Sequence, residues 1–564
     1  MQSTLSPYSQ QSIRYRYWQA PRWQNPRFAS AATEPIKLAP GGYFAPEVDF
    51  EKNFQALLNG IYNYWVNKMN KTGKRKPVII AMDDTPLSKS YLSYAIEYFT
   101  KRQIDVDTYY HEPWGELPMP LGQVGYFAKH FSKSNEKAKS VAGALMFTSG
   151  SRPWSIGDVR FINNKGALFN ANELTEVQSL IHQNKERLST VSLPPSGEHI
   201  KFDFMKGHYR EHLRRLIDMK QIETSNIYPI YDARQGAAKN IFNDLLTPEI
   251  KEADFYNHEP QNYNRMLGSP SLNNKNLKEL SKHTRGRVNC NGASLANNAD
   301  GSACRILDEM GRLISYADML ALCLYHLVEN KSRQGVLIKP HHMTGLVDQL
   351  AATYGIPVKD TPIGYQHVAR ESQKTAEPLL IAGDGDGGFI LPHHVPIKDG
   401  LLMNFLMLEL HVMAQKPFGE ILEQLKKRVS HCYTHSHLQL KTSKEKVDNF
   451  IQYMRSMVLR HFHWGPFRLD RGQTQQHYRW VKQRYGVRND VKLFFEDGAS
   501  VVVRQAREKP EHIDFYVTTA MPKSFFGPPS VKQQKAKHKE LINAIESTLD
   551  VRFSVPKGSL SVMA

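Results

Sequence analysis

Apolar residues recur at helical spacing through Phe54, Leu57, Leu58, Ile61 and Trp65, which predicts a helix over residues 50–68. The run Pro77-Val78-Ile79-Ile80-Ala81 then reads as a buried parallel strand, 92–99 as a helix and 104–107 as a second strand. Strand, helix and strand in that order indicate an α/β layer. Leu145-Met146-Phe147 predicts another buried strand, and a second α/β unit opens with a helix over 208–217. Residues 401–413 are apolar apart from Asn404, Glu409 and His411, which suits a buried helix. An amphipathic helix with a basic outer face is predicted over 444–462. Alternating apolar residues around Asp497-Gly498 mark a hairpin.

At 564 residues the chain is too long for one core, and about 100–200 residues per domain predicts three to five domains. No run of about 18 apolar residues occurs, so no transmembrane helix is expected. The cysteines Cys290, Cys304, Cys323 and Cys432 form no CxxC pair, so a reducing compartment, the cytoplasm, is the expectation. His431, Cys432, His435 and His437 lie close together, but no matching ligand pair follows at the spacing a zinc site needs. A formal charge of +18 favours an anionic partner, either a protein complex or nucleic acid. The positive excess is concentrated in two places. Residues 1–36 interleave Arg14 and Arg16 with Trp18 and Trp23, and 430–488 carries Arg479 and Trp480 in a basic stretch. These six side chains are the expected partner contacts, by stacking and charge. An acid-poor start is also compatible with a transit segment to a mitochondrial or plastid matrix.

Five motifs follow one another in the chain. Thr148-Ser149-Gly150-Ser151-Arg152-Pro153 leads to Gly157, Asp158, Arg160 and Phe161. Ile227 to Ala238 includes Asp232 and Gly236, and Asn298-Ala299-Asp300-Gly301-Ser302-Ala303 precedes Asp308-Glu309-Met310-Gly311-Arg312. Thr361-Pro362-Ile363-Gly364-Tyr365 is followed by Ala382-Gly383-Asp384-Gly385-Asp386-Gly387-Gly388-Phe389 and Lys398-Asp399-Gly400. Last come Glu496-Asp497-Gly498 and Arg504-Gln505-Ala506-Arg507-Glu508-Lys509-Pro510. In order and spacing this series resembles the phosphohexomutases, the phosphoglucomutase and phosphomannomutase family. Their loops read TASHNP, DPDADR, GEES and RPSGTEP. The resemblance implies three tandem phosphohexomutase-like α/β domains, with mixed four-stranded sheets, plus a C-terminal α+β domain around a central cleft. The implied boundaries are an arm at 1–36, domains at 37–205, 206–312 and 313–429, a basic insert or linker at 430–488, and a last domain at 489–564.

The departures fall on the chemistry that the resemblance implies. Gly150 stands where the family carries its phosphoserine, with Ser149 and Ser151 as the neighbouring hydroxyls. The metal loop keeps only Asp300 of three carboxylates, beside Asn298 and Ser302. Alternation would aim all three at one ion, and one carboxylate is a poor Mg²⁺ site. Asp384, Asp386 and Gly364 occupy the sugar-reading positions, and Arg504 and Arg507 the phosphate loop. One residue of displacement moves a hydroxyl about 3–4 Å, and even 1 Å of misplacement can cost about 100-fold. The leading expectation is therefore a catalytically inactive family member serving as a scaffold for an anionic partner, with no cofactor. One alternative is a phosphotransferase of altered mechanism using Ser149 or Ser151, Asp300 and Mg²⁺. The other is a sugar-phosphate sensor binding through Asp384, Asp386 and Arg504 without turnover.

Overall fold

The computed structural model describes residues 36–73, 76–111, 115–130, 141–153, 155–183, 198–202, 205–234, 236–239, 241–246, 254–255, 270–285, 292–343, 345–458, 460, 462–485, 490–506, 509–524 and 527–563. The first sheet runs in the order Gly42–Pro46, Ile156–Asn163, Gly143–Thr148, Val78–Met82, Val106–His111, Gly115–Glu116, and His199–Phe202 pairs the strand Val106–His111. It has seven strands among the described residues, where the resemblance implied four. Its centre is parallel and its Gly42–Pro46 end antiparallel. Alternation divides the strand Val78–Met82 between two cores. Val78, Ile80 and Met82 face the core under the helices Glu47–Thr72 and Pro86–Thr100, and Ile79 and Ala81 face the larger core beyond.

The second and third domains carry four-stranded sheets. Their orders are Cys304–Leu307, Gly292–Asn297, Tyr228–Asp232, Asp254–Phe255 and Val358–Thr361, Val336–Pro340, Leu379–Gly383, Phe389–Ile390. One helix, Gly400–Ala414, ties the three domains together. Gly400 to His411 are buried on every side, which explains the absence of a polar stripe in its sequence. It packs on the helix Leu121–His130, the strands Gly292–Asn297 and Cys304–Leu307, and the helix Tyr316–Tyr325. Two of its buried polar side chains bond across these junctions: Asn404 donates to Asn297 Oδ1 at 2.8 Å, and Glu409 accepts from the Asp218 backbone and His326 at 2.7 and 2.9 Å.

The fourth domain corrects the expected insert. His431–Lys441 is a long strand paired along its whole length with His512–Pro522, within a five-stranded sheet ordered Asp490–Phe494, Ser500–Gln505, His512–Pro522, His431–Lys441, Ser561–Val562. Residues 430–488 therefore begin the last domain instead of linking to it. The strand escaped the hydrophobic pattern because only Leu438 and Leu440 are buried in the core, while its other side chains are partly covered or, at His435 and Lys441, exposed. The helices Lys444–Met457 and Val531–Phe553 pack on this sheet, and Trp464 is 1% exposed against Phe462 and Phe495. That ring is core and cannot stack on a base. No helix among the described residues is long and apolar enough to cross a membrane.

The fourth domain is latched to the third by polar contacts. Arg484 and Tyr485, ending the helix Arg471–Tyr485, both bond Glu371 on the helix Tyr365–Lys374, which is 2% exposed. The Asp490 carboxylate accepts from the Ile363 backbone at 3.2 Å, and His341 meets His477 ring to ring at 3.1 Å.

Candidate functional site

All four domains line a cleft of about 1530 Å³. Its floor is the loop 148–153, which is held from beneath by Asp83. That carboxylate is fully buried and accepts from the Thr148 hydroxyl at 2.7 Å, the Ser149 backbone at 2.8 Å, the Thr85 backbone at 3.0 Å and the Ser88 hydroxyl at 2.8 Å. Burial raises its pKa, and these four donors counter the shift. The Gly150 N–H donates to Thr148 Oγ1 at 2.7 Å, and the Gly150 carbonyl accepts from the Ala299 backbone of the second domain at 3.1 Å.

Gly150 sits at φ +59°, a left-handed conformation that glycine adopts without strain. A Cβ placed there would lie 3.4 Å from Arg160 Nη2 and 3.7 Å from Asp300 Oδ2. The expected pairing of this position with the second-domain loop is therefore present, with no hydroxyl on it. Ser151 lines the cleft, and Asn298 donates to its Oγ at 3.1 Å. Ser149 is different. It is 2% exposed and lies outside the cleft lining, which removes it as a replacement nucleophile. Asp158, with a fully buried side chain, pairs with both Arg152 and Arg160 and so fixes two guanidinium groups beside the loop. Burial raises its pKa, and the two arginines oppose that.

Asp300, Gly364, Asp386 and Arg504 reach the same cleft. Asp384 does not, which corrects its expected sugar-reading role. It is 2% exposed, accepts the backbone N–H groups of Asp386 and Gly388 at 2.9 Å each, and pairs with Lys398 at 3.0 Å. It therefore shapes the loop that presents Asp386 and orients Lys398, which does line the cleft. Asp386 is raised to about 6, chiefly by burial and then by Asp384. On the opposite wall Asp514 accepts from Arg504 Nε at 3.3 Å and faces His437 at 3.3 Å, while the His437 ring stacks on Tyr516 at 4.3 Å. Arg507 and the arm residues Arg14, Arg16, Trp18 and Trp23 lie outside the described residues. Arg479 is exposed and Trp480 half-buried on the helix Arg471–Tyr485.

The expected positive excess in arm and insert left the body looking balanced. The cleft is not. Among the described residues, eight Arg or Lys side chains line it against the two carboxylates of Asp300 and Asp386. Sequence reasoning passed over Arg305, Arg370, Lys374 and Lys509. Arg370 and Lys374 lie four apart on the helix that starts at Tyr365, and that spacing on one helical face was the available signal. Arg305 lies over the Tyr316 ring at 4.0 Å.

Mg²⁺, the ion implied by the resemblance, needs near-octahedral oxygen coordination. The loop offers little of it. Asn298 Oδ1 accepts from the Ala303 backbone at 2.9 Å, and Asp300 Oδ1 accepts from the Ser302 backbone at 3.0 Å. Arg160 Nη2 and Asp300 Oδ2 both lie within 4 Å of the position a Cβ on Gly150 would take, so a guanidinium already stands near this loop. These residues do not fit the ion.

Residues 317–429 match the model of the α/β/α domain III of phosphoglucomutase/phosphomannomutase. A phosphoglucosamine mutase from Methanococcus maripaludis is 23% identical over 55% of this chain and 65% of its own length, just under two thirds. A phosphoglucomutase/phosphomannomutase from Thermococcus kodakarensis is 24% identical over 64% of this chain and 74% of its own. Two solved structures share the fold. A phosphoglucomutase/phosphomannomutase family protein from Burkholderia thailandensis superposes with a TM-score of 0.64 at 15% identity, covering 91% of this chain and 98% of that one. The open form of parafusin, a phosphoglucomutase from Paramecium, does so at 0.66 and 13%, covering 93% and 96%. The ordered motifs, the three-plus-one domain plan around one cleft and the matches agree: the chain has the phosphohexomutase fold, and its third domain matches that of phosphoglucomutase/phosphomannomutase.

Proposed function

We propose that the cleft binds a phosphorylated hexose and that the phosphoryl group is not passed through a serine phosphate at position 150. The observation that carries this reading is the cationic lining drawn from all four domains around Gly150. An anionic ligand entering it exchanges hydration for preorganised guanidinium and ammonium groups. Arg504, oriented by Asp514, is the phosphate anchor on one wall, and Asp386 and Lys398 offer an acceptor and a donor to sugar hydroxyls. A second reading is an intramolecular phosphotransferase of altered mechanism, in keeping with the mutases among its relatives. It is favoured by Ser151, whose hydroxyl lies in the cleft one residue beyond Gly150 and is bonded by Asn298.

Calorimetric titration of the full chain with hexose 1-phosphates and 6-phosphates tests the binding reading. Saturable binding is expected, weakened roughly 10–100-fold by Arg504→Ala, the worth of a hydrogen bond to a charged group. Absence of saturable heat with every hexose phosphate tried would sink the proposal. Intact-mass analysis after incubation with a hexose bisphosphate separates the two readings. A phosphoryl adduct that disappears in Ser151→Ala establishes the second; an unmodified chain is the outcome expected from the first.

A further inference from the structure

We propose that the junction between the 148–153 loop and the 298–303 loop is closed by the Asn298 amide in place of a divalent cation, and that Arg160 supplies the positive charge there. The amide is fully committed. Its Oδ1 accepts from the Ala303 backbone at 2.9 Å, and its Nδ2 donates to Ser302 Oγ at 3.2 Å and across the domain boundary to Ser151 Oγ at 3.1 Å. The end of Asn298 that meets the first domain is thus a donor, which cannot ligate a cation. It joins the same two loops that a metal would join. The Ala299 N–H bond to the Gly150 carbonyl at 3.1 Å runs alongside it. Asn298 and Ser302 are 2% and 3% exposed, so the bonds to Ser302 and Ala303 are buried, and their loss would leave polar groups without water; the bond to the exposed Ser151 is partly buried.

The charge at this point is also already supplied. Asp300 Oδ2 and Arg160 Nη2 lie 3.7 and 3.4 Å from the position of a Cβ on Gly150. Arg160 Nη2 is held 2.8 Å from Asp158, whose side chain is 0% exposed. A guanidinium fixed in this way beside position 150 repels a second cation brought to the same loop junction. Asn298 is accordingly a positioning residue for the loop, and Arg160 is the cation facing a ligand group placed above Gly150. This last role rests on the sugar-phosphate reading of the cleft; the amide bridge does not.

The test is a Mg²⁺ titration of the full-length protein, by calorimetry and by thermal melting in EDTA or Mg²⁺ at matched ionic strength. For the wild type, no saturable heat and an unchanged melting temperature are expected. Asn298→Asp combined with Ser302→Asp returns two carboxylates at alternate positions. It is expected to tighten Mg²⁺ binding at least about tenfold and to make melting metal-dependent. Asn298→Leu, with none of the three bonds, is expected to melt lower than wild type equally in EDTA and in Mg²⁺. Saturable Mg²⁺ binding by the wild type that is abolished in Asp300→Asn overturns the inference. So does full rescue of Asn298→Leu by Mg²⁺. The wild-type titration decides the matter even where the double variant does not fold. A cleft that takes no hexose phosphate in EDTA would overturn the proposed function and leave the metal result standing.

Discussion

Replacing Asp360 by alanine is expected to cost about 3–5 kcal/mol and to loosen the fourth domain from the third, because it strands two buried ammonium groups. Lys339 is fully buried and reaches Asp360 Oδ1 at 2.7 Å and Asp348 Oδ1 at 2.9 Å. Lys492, 3% exposed and on the fourth domain, faces Asp360 Oδ2 at 3.8 Å. Burial opposes the charge on Lys339, and Asp348 and Asp360 more than restore it, so its pKa rises. Burial would raise Asp360, yet Lys339 and Lys492 hold it well below the usual carboxylate range. On Lys492 burial prevails over Asp360, and its pKa falls. Without Asp360 only Asp348, whose side chain is 36% exposed, would remain to pair with Lys339. Lys492→Met is the informative contrast: it removes a poorly compensated buried cation and is expected to be close to neutral. Urea unfolding of the full chain, following its first transition, measures both. A loss under about 1 kcal/mol in Asp360→Ala would show that water enters the junction and screens it.

Acidification from pH 6 to pH 5 is expected to remove stability steeply. Burial holds His477, His212, His411 and His538 down to about 4 and His342 to about 3, and it also lowers His341. Unfolded, each takes a proton near pH 6.5. Between those values the unfolded chain binds more protons, so this stability is fully present above about pH 6.5 and drains away as pH falls toward 4. Four carboxylates act in the opposite sense. Burial raises Asp84 to about 7 and Asp386 to about 6, and it raises Asp83 and Asp158, so the folded chain gains protons there on acidification. The lowered histidines outnumber the raised carboxylates, and water screens the exposed Asp386, so the net change on acidification keeps the sign the histidines set. Around the His341–His477 pair the facing groups are Lys339, His342, Asp360, Asp490 and Lys492. The fourth domain is therefore expected to loosen first. Denaturant midpoints at closely spaced pH values check this, and a flat profile from pH 6.5 to 5 would contradict it.

Much of the molecule was legible from local pattern. Helical spacing placed Glu47–Thr72, and an apolar run broken only by Asn404, Glu409 and His411 predicted the buried helix Gly400–Ala414. Asp497-Gly498 marked the turn between Asp490–Phe494 and Ser500–Gln505. Such signals survive in one dimension because a helix or strand repeats its contact with the core every few residues. The loss of a hydroxyl at Gly150 and of two acids beside Asp300 is likewise a matter of residue identity.

Other features belong to the fold alone. Asp384 and Asp386 are alternate acids in one glycine-rich loop, and only the tertiary structure shows one capping backbone N–H groups and the other facing the cleft. Ser149 and Ser151 flank Gly150 equally in sequence and differ in burial and reach. His431–Lys441 read as a polar stretch until its partner strand, some eighty residues later, paired with it. The cations of the cleft come from four domains and sum only when those domains close around one space. Periodicity reports how a segment meets its own core, so the sequence by itself determined many of the elements, their order and which residues stand at the motif positions. Burial, pairing and electrostatic potential depend on contacts between residues hundreds of positions apart, and only the tertiary structure decided those.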